Sequence, residues 1–190
     1  FNFGPDFRYY RNGTFRNEES ISSEGKNRAS LSNQSDFSWT LDNLIYYDKE
    51  FGKHSVGLTL LQSATGYHDE ESSMAAEGIP LESAKWNALS KENVSLLDEW
   101  NSGLIEKQLL SYMFRVNYDY NNKYLLTVSG RWDGASQLAE GNKWAFFPSA
   151  ALGWRLDQEE FLKDVTWLNQ LKFRLGVGVS GISAIDPYET

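Results

Sequence analysis

The 190-residue chain carries 18 Lys and Arg against 26 Asp and Glu, for a net charge of −8, and it has no Cys. Its mean hydropathy is −0.52, yet 15% of its residues are aromatic. These values exclude a disulfide scaffold and thiolate-held metals, argue against general nucleic-acid binding and exclude a disordered chain; no run approaches the roughly 18 apolar residues of a membrane helix.

Phe1-Asn2-Phe3-Gly4-Pro5 has neither the basic start nor the apolar centre of a signal peptide. With a C-terminal stretch, 185–190, that completes no element, the chain reads as a piece of a larger protein. A first strand is expected in roughly 1–10 and a long loop over 11–33. In the next strand Phe37, Trp39, Leu41, Ile45 and Tyr47 share a face, with Asn43 as an exception, against Ser38, Thr40, Asp42 and Asp48. After a turn at 49–53, Val56, Leu58 and Leu60 oppose Ser55, Gly57, Thr59 and Ser63. A long loop is expected over 65–108, with a weak amphipathic turn at 95–100.

The clearest alternation is at 110–120. Leu110, Tyr112, Phe114, Val116, Tyr118 and Tyr120 oppose Ser111, Met113, Arg115, Asn117 and Asp119. Asn121-Asn122-Lys123 makes a turn. Tyr124, Leu126, Val128, Gly130 and Trp132 then oppose Leu125, Thr127, Ser129, Arg131 and Asp133. A loop at 134–142 leads to a face of Trp144, Phe146, Pro148, Ala150, Leu152 and Trp154. Pro148 lacks a ladder donor, so a bulge or a pause is expected there. The connection 157–169 reads as a short helix or turn, with Asp157 and Glu160 as a weak capping box. Last, Leu171, Phe173, Leu175, Val177 and Val179 oppose Lys172, Arg174, Gly176, Gly178 and Ser180.

The pattern is all-β. Long strands with one apolar and one polar face, long loops at one end (11–33, 65–108, 134–142) and short connections at the other (49–53, 121–123, 157–169) match a transmembrane antiparallel β-barrel. Lipid leaves no sheet edge unpaired, so such a sheet must close. About seven strands are expected, a portion of a larger wall, and a wide barrel is a pore or a plugged transporter. Tyr47, Tyr118, Tyr120, Tyr124 and Trp154 fall near the short-turn end, and Trp39, Trp132 and Trp144 near the long-loop end, as two interfacial belts do. A soluble β-sandwich with a Trp- and Tyr-rich core has the same alternation and stands as the competing fold.

No catalytic constellation is present, neither a G-x-S-x-G elbow nor a P-loop. His54 and His68 read as surface residues without metal-site spacing, and Asp69-Glu70-Glu71 reads as solvated loop charge ahead of a calcium ligand set. No enzyme activity, cofactor or metal is expected. The polar face offers Arg115, Asn117, Asp119, Arg131, Asp133, Arg155, Lys172 and Arg174, suited to holding a plug by ion pairs ahead of lining a solute path. Tyr67, Trp86 and Trp100 in the long loop are the candidates for stacking on a glycan or anchoring a peptide, against rings that only pack the loop.

Several stretches resemble the SusC/RagA family of TonB-dependent outer-membrane receptors of Bacteroidetes. They are Phe3-Gly4-Pro5-Asp6-Phe7-Arg8, residues 36–60 and, most specifically, the pattern R-x-N-Y-x-Y-x-x-K-Y-L-L from Arg115 to Leu126. Phe147-Pro148-Ser149, Trp154-Arg155 and residues 160–181 follow in the family's order; Ile182 departs from its usual Gly-Asn. The resemblance implies part of a barrel of about 22 strands, with a plug domain and a TonB-contacting segment preceding this stretch. It also implies a SusD-like surface lipoprotein capping the long-loop end, an outer-membrane location and active import of an oligosaccharide or a peptide. A passive porin or structural barrel and a soluble carbohydrate-binding sandwich are the alternatives.

Overall fold

The computed structural model describes residues 1–21, 25–79, 82–90, 96–162, 165 and 167–181, with 96–98 as backbone only. Seven strands form one sheet in the order of the chain. They are β1 (Asn2–Arg16), β2 (Arg28–Phe51), β3 (His54–Glu77), β4 (Leu96–Tyr120), β5 (Tyr124–Ala135), β6 (Trp144–Arg155) and β7 (Lys172–Gly178). Among the described residues, the regular elements outside the sheet are 3-10 turns at Glu82–Asn87, Leu156–Gln158 and Glu160–Leu162.

The β2–β3 turn is only Gly52-Lys53, with Gly52 in the left-handed region at φ 62°. The β4–β5 turn places Asn121 and Asn122 at φ 55° and 54°, which Asn tolerates better than most side chains. Lys123 N–H donates to the Tyr120 carbonyl at 3.0 Å, and Asp119 Oδ1 accepts from Asn122 N–H at 2.7 Å.

The long connections are shorter than the sequence suggests. β3 runs to Glu77 and β4 begins at Leu96, so the expected loop 65–108 narrows to 78–95. The expected turn at 95–100 is strand from Leu96 onward, and residue 95 lies outside the described residues. β1 and β2 likewise narrow the expected loop 11–33 to 17–27. The physical reason is that 66–77 and 99–106 lack alternating apolarity, the signal on which a half-buried strand is recognised. Ladder hydrogen bonds need no apolar side chain.

Two compact units divide the chain. One holds Phe1–Gly4, Thr40–Thr65 and Lys107–Thr190; the other holds Pro5–Trp39 and Gly66–Glu106. In the first, the portions of β2, β3 and β4 are 12, 12 and 14 residues long, beside 12 each in β5 and β6. A strand needs about 9–11 residues to cross hydrocarbon at a tilt of ~45°. This unit is called the banded unit below, and the other the acidic unit.

Pro148 makes no bulge: the β5–β6 register runs unbroken from Tyr124↔Trp154 to Gly134↔Trp144. Arg155 N–H to the Lys123 carbonyl and Ala135 N–H to the Lys143 carbonyl set the bonded pairs, and two-residue alternation makes Gly130↔Pro148 a non-bonded pair. Pro148 therefore needs no donor toward β5. Toward β7 the ladder does pause. Val179 N–H donates to the Pro148 carbonyl at 2.9 Å, proline cannot return the bond, and β7 stops at Gly178.

One layer leaves little interior. The buried apolar residues, among those described, are Ala29, Ala75, Ala76, Ile79 and Ala135, and no described Phe, Tyr or Trp is buried. A sandwich would bury its rings between two sheets. Among the described residues no second sheet supplies that layer.

Candidate functional site: two faces of one wall

The register of the banded unit sorts its side chains into transverse rows. Tyr120, Tyr124, Trp154 and Phe173 form one row, and Tyr118, Leu126, Leu152 and Leu175 the next. Val116, Val128, Ala150 and Val177 form a waist of smaller residues. Phe114, Gly130 and Pro148 follow, then Tyr112, Trp132 and Phe146. Leu152 is 57% exposed and Trp132 is 52% exposed, so this apolar face has no covering layer among the described residues.

Rings stack along both outer rows. Tyr120–Tyr124 and Tyr124–Trp154 lie 6.4 and 6.5 Å apart between centroids, and Trp132–Phe146 lie 4.6 Å apart. Tyr112 stacks on Trp144 at 6.3 Å. The rows are eight residues apart along β4, about 27 Å at the usual rise. That is comparable with the ~25 Å apolar band between the aromatic girdles of a membrane barrel. Two glycines serve the packing: a Cβ on Gly130 would lie 2.6 Å from the Phe114 ring and 2.8 Å from Phe146, and one on Gly134 2.7 Å from Trp144. The sequence marks these glycines only as breaks in an apolar face. Asn43, the exception in that pattern, has a partner: its Nδ2 donates to Gln62 Oε1 at 2.7 Å.

The opposite face carries the eight expected polar residues, but several are occupied locally. Arg131 Nε donates to both Asp133 oxygens, at 2.7 and 2.9 Å, and its Nη2 to the buried Ser111 hydroxyl at 3.1 Å. Asn117 Oδ1 accepts from Thr127 Oγ1 at 3.0 Å, and Asp119 caps its turn. Arg155 binds Asp157 at 2.7 Å. Arg115 stands opposite Ser129, Arg174 opposite Gly153 and Lys172 opposite Arg155, and all three of these cations are exposed. Among these eight residues five are cations, against Asp119 and Asp133.

The three rings selected from the long loop do not converge. Trp86 lies flat over the Gly13 backbone, with Lys85 Nζ 5.7 Å above it, and so packs the Glu82–Asn87 turn onto β1. Tyr67 donates to Asp69 Oδ2 at 3.3 Å, beside Gln34, whose Nε2 donates to Asp69 Oδ1 at 3.2 Å. The next residue, His68, points to the opposite face of β3 and meets Glu106 at 3.0 Å. Trp100 shares the parity of Glu106 and is 76% exposed. Strand alternation therefore sends Tyr67 and Trp100 to opposite faces. Both expected loop rings are strand residues.

Two carboxylates organise the β6–β7 connection, Glu159, which sequence reading misses, and Asp157, which it gives another role. Glu159 accepts from Lys123 at 2.5 Å, from the Tyr124 hydroxyl at 3.0 Å and from the Trp154 indole at 2.9 Å. Lys123 holds the Glu159 carboxyl below its ordinary range, and Glu159 holds the Lys123 ammonium above its own. Asp157 makes no capping box. It binds Arg155, Gln158 and the Leu171 N–H, and these bonds lower its pKa to about 2. His54 is held by Tyr118, with Nδ1 2.6 Å from the hydroxyl, and stacks on Phe51. Among the described residues no group of three or more His, Asp or Glu could hold a metal. Ile182 lies outside the described residues.

No family model matches the chain. Among curated proteins it is similar to TonB-dependent receptor P26 of Formosa agariphila, 34% identical over 99% of this chain and 19% of the relative. It is also similar to receptor P3 of the same organism, 35% identical over 78% and 15%. TonB-dependent receptor SusC of Bacteroides thetaiotaomicron is 43% identical over 50% of this chain and 10% of its own length. Among solved structures, that of the RagAB peptide transporter superposes with a TM-score of 0.87 over 98% of this chain and 21% of that one, at 20% identity. The chain thus spans about a fifth or less of the length of the proteins it matches.

Proposed function

We propose, from the premise that this chain belongs to the SusC/RagA-type TonB-dependent receptors and is a stretch of their outer-membrane β-barrel wall, that the receptor it serves imports an oligosaccharide or a peptide under TonB coupling. A SusD-like surface lipoprotein is the proposed partner at the end of the long connections. Among the neighbours, RagAB is described as a peptide transporter. The observation that carries the reading is the uncovered apolar face between two ring rows, backed by a polar face that bears charge of both signs. A wall between lipid and a charged interior needs that pairing of faces.

In this reading 17–27, 78–95 and 136–143 are surface connections, and 52–53, 121–123 and 156–171 are periplasmic. The exposed cations Arg115, Lys172 and Arg174 contact a plug domain, whose displacement opens the path. Tyr67, beside Asp69 and Gln34, is the residue best placed to meet solute, while Trp86 serves packing. No covalent chemistry is involved. The test is binding of defined glycans and peptides to the purified full-length receptor with its lipoprotein partner, followed by uptake with and without TonB. Binding of one class with TonB-dependent uptake supports the reading. Binding of neither, or uptake that ignores TonB as in a passive porin, overturns it.

A further inference from the structure

The apolar face of the banded unit holds two hollows of different chemistry. One, of about 600 Å³, is walled by Tyr118, Leu126, Leu152, Trp154, Phe173 and Leu175. The other, of about 460 Å³, is walled by Ile45, Leu60, Tyr112, Phe114 and Trp132 and also contains Asn43 and Gln62. A carboxamide offers two N–H donors and two acceptor lone pairs. The Asn43–Gln62 bond uses one donor and one lone pair of the two groups together. On a face that meets hydrocarbon, the remaining capacity is costly unless something polar answers it. The pair sits beside Tyr112 and Trp132, in the ring row that marks the bilayer interface. Carbonyl groups of lipids are available at that depth, while bare hydrocarbon is not a partner.

We propose that this second hollow is a lipid site. An acyl chain of a membrane lipid lies between Ile45, Leu60 and Phe114, and its ester or amide linkage is held by Asn43 and Gln62. The occupant follows from continuity with the lipid-facing surface and from the donors and acceptors at one end of an otherwise apolar hollow. The hollow at Leu152 has no carboxamide, and the polar atoms of its Tyr118 and Trp154 are already bonded to His54 and Glu159, so it holds chains without preference. The inference depends on the membrane-facing wall and not on what the receptor imports.

The test uses the full-length receptor in phosphatidylethanolamine bilayers doped with a lipid carrying a photoactivatable diazirine next to its ester. Adducts are mapped by peptide mass spectrometry. The expected result is labelling at Ile45, Leu60 and Trp132 roughly fivefold above that at Leu152 and Leu175, the ratio of about one net hydrogen bond. Asn43→Leu with Gln62→Leu removes the excess, while Leu60→Trp fills the hollow with the amides intact and also lowers labelling there. Retained heat-modifiable mobility on a gel verifies folding of each variant. Equal labelling of the two hollows in the unmutated receptor overturns the proposal without any variant. So does undiminished labelling in a folded variant, or crosslinking of Ile45 and Leu60 to a second receptor copy in place of lipid.

Discussion

The banded and acidic units are built from the same kind of strand and differ in what surrounds them. The banded unit has 11 Lys and Arg against 12 Asp and Glu, and the acidic unit 7 against 14, so −7 of the chain's −8 charge belongs to the acidic unit. In the banded unit every second residue of β4 to β6 is apolar over a bilayer-crossing length, and charge along that stretch of these strands lies on the other face. In the acidic unit, carboxylates and rings share both faces of β3, as Asp69 and His68–Glu106 demonstrate. The difference teaches that backbone pairing is indifferent to solvent, whereas side-chain alternation is dictated by it. A charge at the waist of one unit should therefore cost far more than the same charge in the other.

Val128→Arg is the sharpest way to break that contrast. Val128 sits in the waist, opposite Val116 and Ala150. An Arg at a bilayer midplane costs about 2–4 kcal/mol in a membrane barrel. Leu104→Arg, at a half-exposed position of the acidic unit, should stay within about 0.5 kcal/mol. Denaturant unfolding of the full-length receptor in bilayers measures both. Equal losses would mean that the banded unit does not face lipid.

Packing should instead unite the two units. Gly130 lies under Phe114 and Phe146 in one, and Gly66 lies under the Trp39 indole in the other. Gly130→Val and Gly66→Val should each cost about 1–3 kcal/mol by displacing a ring from the backbone it covers. The same unfolding assay reads the cost. Trp39→Leu combined with Gly66→Val should recover part of the loss, because a smaller side chain leaves room for the new methyl groups. No recovery would show that the loss comes from the backbone and not from the ring.

The contrast also explains what was legible in the sequence. The hairpin from Leu110 to Trp132 and its two faces were readable because lipid demands an apolar residue at each second position. The strand continuations at 66–77 and 99–106 were not, since a strand in water has no such demand. Pro148 was readable as a fault in the ladder, but the side of the fault depends on which pairs are bonded, and only the register gives that. Trp86 looked like a binding ring until its place over Gly13 was visible. Alternation places the polar-face charges on one side, but it does not show that Arg131 and Asp133 bind each other locally.

Acid should separate the units by a smaller effect. Asp157 is hydrogen-bonded to Arg155, Gln158 and Leu171 N–H, and its folded pKa of about 2 lies below the ordinary 3.8. A carboxylate with a depressed folded pKa adds stability that is complete above the ordinary value and is lost as pH falls through the folded one. The loss should therefore develop between about pH 4 and pH 2 and act on the connection 156–171. Glu159, lowered by Lys123, works in the same direction. Lys123 is raised and stays charged throughout this range, so protonation of the carboxylates is what breaks the clamp. The ladder hydrogen bonds of 66–77 in the acidic unit involve no titratable group. Hydrogen exchange on the full-length receptor should show 156–171 opening across that range while 66–77 keeps its protection. Asp157→Asn at neutral pH should reproduce the opening at 156–171 and remove most of its further change in acid. Simultaneous opening of both segments would mean that acid acts on the wall as a whole and that the clamp is not an independent element.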